Sequence, residues 1–134
     1  MSTTREILER STTVAVVGIS RDEDKPAGHI PAQLQARGFR ILPVNPKIDE
    51  ILGEKAYPSL REIGEPVDVV EIFRPAEEAP DIVREAAAIG AKAVWLQLGL
   101  RSDEARRVAE EAGMGYVEDR CMGAESHRYD IRKR

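Results

Sequence analysis

One cysteine, Cys121, stands in 134 residues, so no internal disulfide can form. A lone thiol suits a reducing compartment, and a cytoplasmic location is expected. No stretch approaches the ~20 apolar residues that a membrane helix needs. The first ten residues hold no apolar run of the signal-peptide kind. Positive charge is not in excess either. Twenty Lys and Arg against 24 Asp and Glu give a net charge of −4, which argues against general nucleic-acid binding. Asparagine occurs once, as Asn45, while the charged residues are mostly Arg and Glu; that bias points to a thermophilic source. Three chemical signatures are also missing. No His/Cys/Asp spacing fits a metal site. No serine carries the flanking glycines of a nucleophile elbow. Gly18 has no second glycine two residues on, so neither the dinucleotide fingerprint nor the phosphate loop of nucleotide hydrolases is present.

What is present reads as globular. Hydrophobic residues make up 42% and charged residues 33% of the chain, and the length fits one domain with its own core. Five short apolar runs alternate with helical patterns: 13–17, 40–44, 67–72, 93–97 and a weaker 115–118. Near-continuous apolar runs suit strands covered on both faces, as in a parallel sheet. Between them, Pro26 fits the first turn of a helix whose face is Ala27, Ile30 and Leu34, with Gly38 as its stop. A second helix spans about 76–89, and Ser102 caps a third that ends at Gly113. A short amphipathic helix near 3–9 docks through Ile7 and Leu8.

This alternation, with right-handed crossovers, predicts an α/β Rossmann-like three-layer fold. The expected sheet has five mainly parallel strands in the order 3-2-1-4-5, numbering the runs along the chain. Ligands of such sheets bind beyond the strands' carboxyl ends, where the strand order reverses. The loops that matter therefore follow Val17, Val44, Ile72 and Gln97.

In the first loop, Gly18-Ile19-Ser20 lets the backbone approach a phosphate. Ser20 adds a hydroxyl, the next helix adds N–H groups, and Lys25 adds a cation. Asp22, Glu23 and Asp24 are expected to face water. A strand–helix turn without any ligand uses the same residues. In the second loop, Val44-Asn45-Pro46-Lys47, an amide and a cation stand where an NAD site carries an acid. That disfavours NAD and leaves NADP or coenzyme A; Asn-Pro is equally a plain turn. In the third loop, Phe73 and Pro75 form an apolar slot for a purine and Arg74 reaches a phosphate, or Phe73 is core and Pro75 starts a helix. Gln97 lines the far wall or simply ends a strand.

Two groups merit a catalytic reading. His29 lies beside the expected site, in a ligand-contacting, structural or proton-transfer role; His127 sits in a charged tail and is expected to be solvated. Cys121 has Arg120 beside it, a setting that makes a thiol reactive, although free cysteines are commonly small core residues. Glu77-Glu78 and Glu110-Glu111 read as solvated helix faces.

Taken together, the segments 14–20, 25–26, 38–47, 51–54, 67–70, 73–75, 90–99 and 119–121 resemble the small stand-alone CoA-binding proteins of the CoA-binding domain family. They also resemble the N-terminal nucleotide-binding part of the succinyl-CoA synthetase α subunit. The resemblance runs from about Thr12 to Cys121, the expected core of one domain over 1–134. It implies that coenzyme A or an acyl-CoA is the ligand. It implies phosphate on Gly18, Ile19 and Ser20, with Lys25 near. Val44, Asn45 and Lys47 would meet the adenine or the adenosine 3′-phosphate, Phe73, Arg74 and Pro75 the nucleotide, and Gln97 the far wall. The synthetase's second domain, with its phosphorylated histidine, has no counterpart in this sequence, so the resemblance implies binding and no reaction. Two other readings remain open: a small CoA-dependent enzyme using His29 or Cys121, and an NAD(P)-sensing domain.

Overall fold

A computed structural model describes residues 3–134. Helix α1 (Thr4–Arg10) starts at a capping box: the Thr3 hydroxyl accepts the Glu6 N–H, and the Glu6 carboxylate accepts the Thr3 N–H. Strand β1 (Thr13–Val17) follows, then α2 (Pro26–Ala36) with proline in its first turn, and β2 (Arg40–Val44). Two short strands, β3 (Glu50–Ile51) and β4 (Glu54–Lys55), form an antiparallel hairpin. Its turn residues Leu52 and Gly53 both have positive φ, as a tight hairpin turn requires. The chain continues through β5 (Val69–Ile72), α3 (Ala79–Ala88), β6 (Ala93–Leu96), α4 (Asp103–Glu111, capped by Ser102), β7 (Gly115–Val117) and α5 (Met122–Arg128).

Strands β1, β2, β5, β6 and β7 form one sheet, parallel at every pairing, with helices on both faces. The α/β Rossmann-like architecture and its five strands are as expected. The order along the sheet is β2-β1-β5-β6-β7. In chain order of the runs that is 2-1-3-4-5, not 3-2-1-4-5: the third run pairs with the first instead of lying outside the second. Pro43 supplies the physical reason. A proline has no N–H to give a ladder, so its strand belongs at a sheet edge. On the outer side of β2 the Pro43 carbonyl accepts the Tyr57 N–H (2.9 Å), and Asn45 N–H donates to the Tyr57 carbonyl (2.9 Å). The reversal of direction therefore falls between β1 and β5, and the loop after Ile72 sits directly beside Gly18.

Alternate residues of each strand feed the two faces. Ala15, Val70, Ile72 and Val94 pack under α3 and α4, against Val83, Ala86, Ala105 and Ala109. Val16, Val69 and Trp95 pack under α1, α2 and α5, against Leu8, Ile30, Leu34 and Met122. Glu71, on the second face, is fully buried, and neither carboxylate oxygen has a hydrogen-bond partner among the described residues. Helix α5 and the hairpin are absent from the sequence expectations. The hairpin's strands are two residues each, too short to show a period, and α5 buries Met122, Gly123 and the polar Ser126, a single large apolar residue instead of a stripe. His127, read as part of a solvated tail, is exposed on α5 with Nδ1 3.0 Å from Arg37 Nη2. Among the described residues no helix is long and apolar enough to cross a membrane.

Candidate functional site

The turn after β1 is held from three sides. Gly18 has φ +88°, a left-handed conformation that glycine adopts without a Cβ penalty. Its N–H donates to the Val44 carbonyl (3.1 Å). The Ser20 N–H donates to the Ala27 carbonyl (3.0 Å), a group that α2 leaves open because Pro31, four residues on, has no N–H to offer it. The Asn45 amide donates to the Ile19 carbonyl (2.8 Å), and its oxygen accepts the Lys47 N–H (2.8 Å). Asn45 thus staples the first loop to the second. Ile19 is buried beneath the turn.

The loop from Ser20 to Gly28 closes on itself. The Ser20 hydroxyl accepts the Asp22 N–H, Asp22 accepts Asp24 and Lys25, and Gly28 N–H donates to Lys25. A Cβ on Gly28 would lie 2.0 Å from the Asp22 carbonyl oxygen, so only glycine fits there. Asp22, Glu23 and Asp24 are exposed, as expected. The expected cradle of backbone N–H groups is thinner than the sequence reading has it. Gly18 and Ser20 spend theirs inside the protein, Pro26 has none, and Gly28 and His29 both donate to the Lys25 carbonyl. The Ile19 and Ala27 N–H groups and the Ser20 hydroxyl proton have no acceptor among the described residues, and cationic side chains supply the positive charge.

Two hollows open at this end of the sheet, one on each side: Gly18 lines the first, and Lys25, Ala27 and Phe73 line the second. The first, about 390 Å³, lies on the α3 side and is lined by Gly18, Val44, Asn45, Lys47, Arg74 and Ile82, with Glu78 and Glu85 at its wall. Lys47 is exposed, and its ammonium has no partner among the described residues. The Arg74 stem lies across Gly18: a Cβ there would be 3.0 Å from Arg74 Cδ. The guanidinium then forks onto Glu78, Nε to Oε1 at 3.1 Å and Nη2 to Oε2 at 2.8 Å. That fork holds the Glu78 carboxyl below the usual carboxylate range and raises Arg74 further. Glu78, read from sequence as a solvated helix face, is therefore part of the site. Its signal was the short separation from Arg74, four residues across the turn that leads from β5 into α3.

The second hollow, about 460 Å³, lies on the α2 and α5 side. Lys25, His29, Phe73, Leu98 and Cys121 line it, and Gln97 forms its floor. Leu98 is the one large apolar side chain standing out of the described surface, at 70% exposure. The Gln97 amide is buried, and its oxygen accepts the Met122 N–H (2.9 Å), while Trp95 Nε1 donates to the Arg120 carbonyl (2.9 Å). These two bonds place Cys121, whose Sγ accepts the Ala124 N–H (3.5 Å) as the N-cap of α5. Arg120, expected to serve Cys121, pairs instead with Glu125 (3.4 Å).

The predicted site residues thus gather at one end of the sheet but fall on two sides. Gly18, Val44, Asn45, Lys47 and Arg74 line one hollow, and Lys25, Phe73 and Gln97 the other. Phe73 and Pro75 do not form a joint slot: Phe73 faces the second hollow, and Pro75 is exposed and lines neither. The apolar wall of the first hollow comes from Val44, Pro46, Leu60 and Ile82 instead.

Comparison with known proteins follows the same outline. The family model described as CoA binding domain matches residues 12–127. The uncharacterized protein YneT of Bacillus subtilis is 41% identical over 118 residues, 88% of this chain and 87% of that protein. The ADP-forming acetate–CoA ligase II of Archaeoglobus fulgidus is 39% identical over 100 residues; these span 73% of this chain but only 15% of the ligase. Among solved structures, a Thermus thermophilus protein titled cell-free ID.343 superposes with a TM-score of 0.89 at 38% identity, over 96% of this chain and 99% of that one.

Proposed function

This chain belongs to the CoA-binding domain family, and from that premise we propose that it binds coenzyme A or an acyl-CoA across the Gly18 turn. The observation that supports this most is a pair of hollows of different character at this end of the sheet, one lined by Gly18, Asn45 and Lys47, the other by Lys25, Phe73 and Leu98. Coenzyme A has a phosphorylated nucleotide at one end and a thiol arm at the other. The nucleotide suits the first hollow, with adenine against Val44, Pro46 and Ile82 and the 3′-phosphate at Lys47. The pyrophosphate suits the turn itself, at the Ile19 N–H, the Ser20 hydroxyl and Lys25. The arm suits the apolar second hollow, ending near Phe73, Leu98 and Cys121. Residues 12–121 form the binding core of the domain, and it works in the cytoplasm, where its lone thiol stays reduced. Calorimetry with CoA, NADH, NADPH and ATP tests the reading. CoA binding above the others is expected; NADH binding without CoA binding overturns it.

One observation favours a second reading. His29 and Cys121 line the same hollow, where the thioester of an acyl-CoA would lie. A CoA-dependent reaction using them predicts acyl-CoA turnover that is lost in His29→Ala and Cys121→Ser. Turnover that survives both changes removes this reading. Ligation is named for a protein of which this chain spans 15%, and it is not assigned to the chain.

A further inference from the structure

We propose that Glu78 is a built-in competitor for the ligand's phosphate, holding Arg74 until a phosphoryl group takes its place. The inference rests on the CoA reading of the same cleft. Two features fix Arg74 there. Its stem packs across the bare face of Gly18, and its guanidinium stays inside the hollow that Asn45 and Lys47 line. A guanidinium in that position is the natural bidentate clamp for a phosphate on the turn. The fork is already filled, however, by both Glu78 oxygens.

Glu78 has no other engagement. It occupies the position before α3, yet its carboxylate makes no capping bond to that helix. Arg74 is its one partner among the described residues. Both side chains are about half exposed, so the pair separates at little cost. With Lys47 and Arg74 facing Glu78 and Glu85, the four charges that line the cleft sum to zero. It turns cationic around the ligand only as Glu78 swings away. Carboxylate and phosphate are both planar-edged oxygen pairs to an arginine fork, so the exchange keeps the geometry and replaces a single charge by a larger one. Glu78 therefore sets a threshold. Carboxylates and other weak anions gain nothing over the internal partner, while phosphorylated ligands do.

Calorimetric titration with CoA tests the exchange on wild type, Glu78→Gln, Glu78→Ala and Arg74→Gln, and on Glu78→Ala combined with Arg74→Gln. Both Glu78 variants are expected to bind about threefold to fivefold tighter. Glu85→Gln removes the same charge from the same cleft without touching the fork, and a change below about twofold is expected. In the Arg74→Gln background the gain from Glu78→Ala disappears. Equal or weaker binding by both Glu78 variants overturns the proposal, and so does a gain that persists without Arg74. If wild type fails to bind CoA, the same series is titrated with inorganic pyrophosphate. The same pattern there upholds the exchange while the CoA reading falls; no tightening there overturns the exchange as well.

Discussion

The two sides of the sheet are built in opposite ways. Under α3 and α4 the buried face is wholly apolar, and the hollow at its mouth is ionic. Under α1, α2 and α5 the buried face contains the unpartnered Glu71, and the hollow at its mouth is apolar. Strand β5 makes both. Its period of two sends Val70, Ile72 and then Arg74 to one side, and Glu71 and then Phe73 to the other. A polar residue near the strand's end is exposed to a site, whereas a polar residue one step inside is trapped. The contrast shows that a side chain's depth along the strand, more than its type, decides whether its charge is available.

The largest expected effect comes from making the second face as dry as the first. Burial pushes the Glu71 carboxyl up to about 8 from an ordinary 4.5. Between those values the folded protein keeps a proton that the unfolded chain releases. Stability therefore falls as pH rises from about 4.5 to about 8, and that contribution is fully lost above the window. Glu71→Leu should stabilise the protein by roughly 2–4 kcal/mol at pH 8.5 and flatten the dependence between pH 5 and 8. Urea melts at several pH values measure this; a destabilised variant at pH 8.5 would reveal an unrecognised role for the acid.

Next in size is the junction of the two sides. Gly18→Val places a branched side chain at φ +88° and drives it into the Arg74 stem. A stability cost of about 1–2 kcal/mol and a loss of CoA affinity of about tenfold or more are expected. A variant that melts and binds like wild type contradicts the site. Smaller effects separate the hollows. Lys47→Glu should cut the preference for CoA over dephospho-CoA about fivefold, because only the former carries the 3′-phosphate. Phe73→Ala should weaken both ligands by the same factor, about threefold, because the arm is common to them. Swapped outcomes in these titrations would exchange the two ends of the ligand.

The elements were legible in the sequence where apolar runs are long and ends are marked. The five main strands, the Pro26 start of α2 and the Ser102 cap of α4 all lie where the residues predict them. The strand order was not read correctly, although Pro43 carried the signal. A proline that demotes its strand to an edge is a statement about topology, and the default Rossmann order hid it. Most of the candidate site's residues were legible, since they are the loops at the carboxyl ends. Their partners were not. That Arg74 is engaged by Glu78, Gln97 by Met122 and Arg120 by Glu125 depends on where backbone elements bring side chains, which residue type alone does not specify. Pro31 is the subtlest case: its effect on the Gly18 turn passes through an acceptor it leaves unclaimed, eleven residues from Ser20.

Pro43 has one more effect, on what the molecule refuses. An exposed strand edge is a template on which another chain can crystallise its own backbone, the first step toward stacked copies. On the β2 side that template is defective: one rung has no hydrogen, and the Tyr57 segment already occupies its neighbours. At the far border β7 offers only three residues before Glu118 and Asp119 interrupt it with charge. Both borders of the sheet are thus poor templates for a further strand, β2 through its missing hydrogen and the Tyr57 segment, β7 through its shortness.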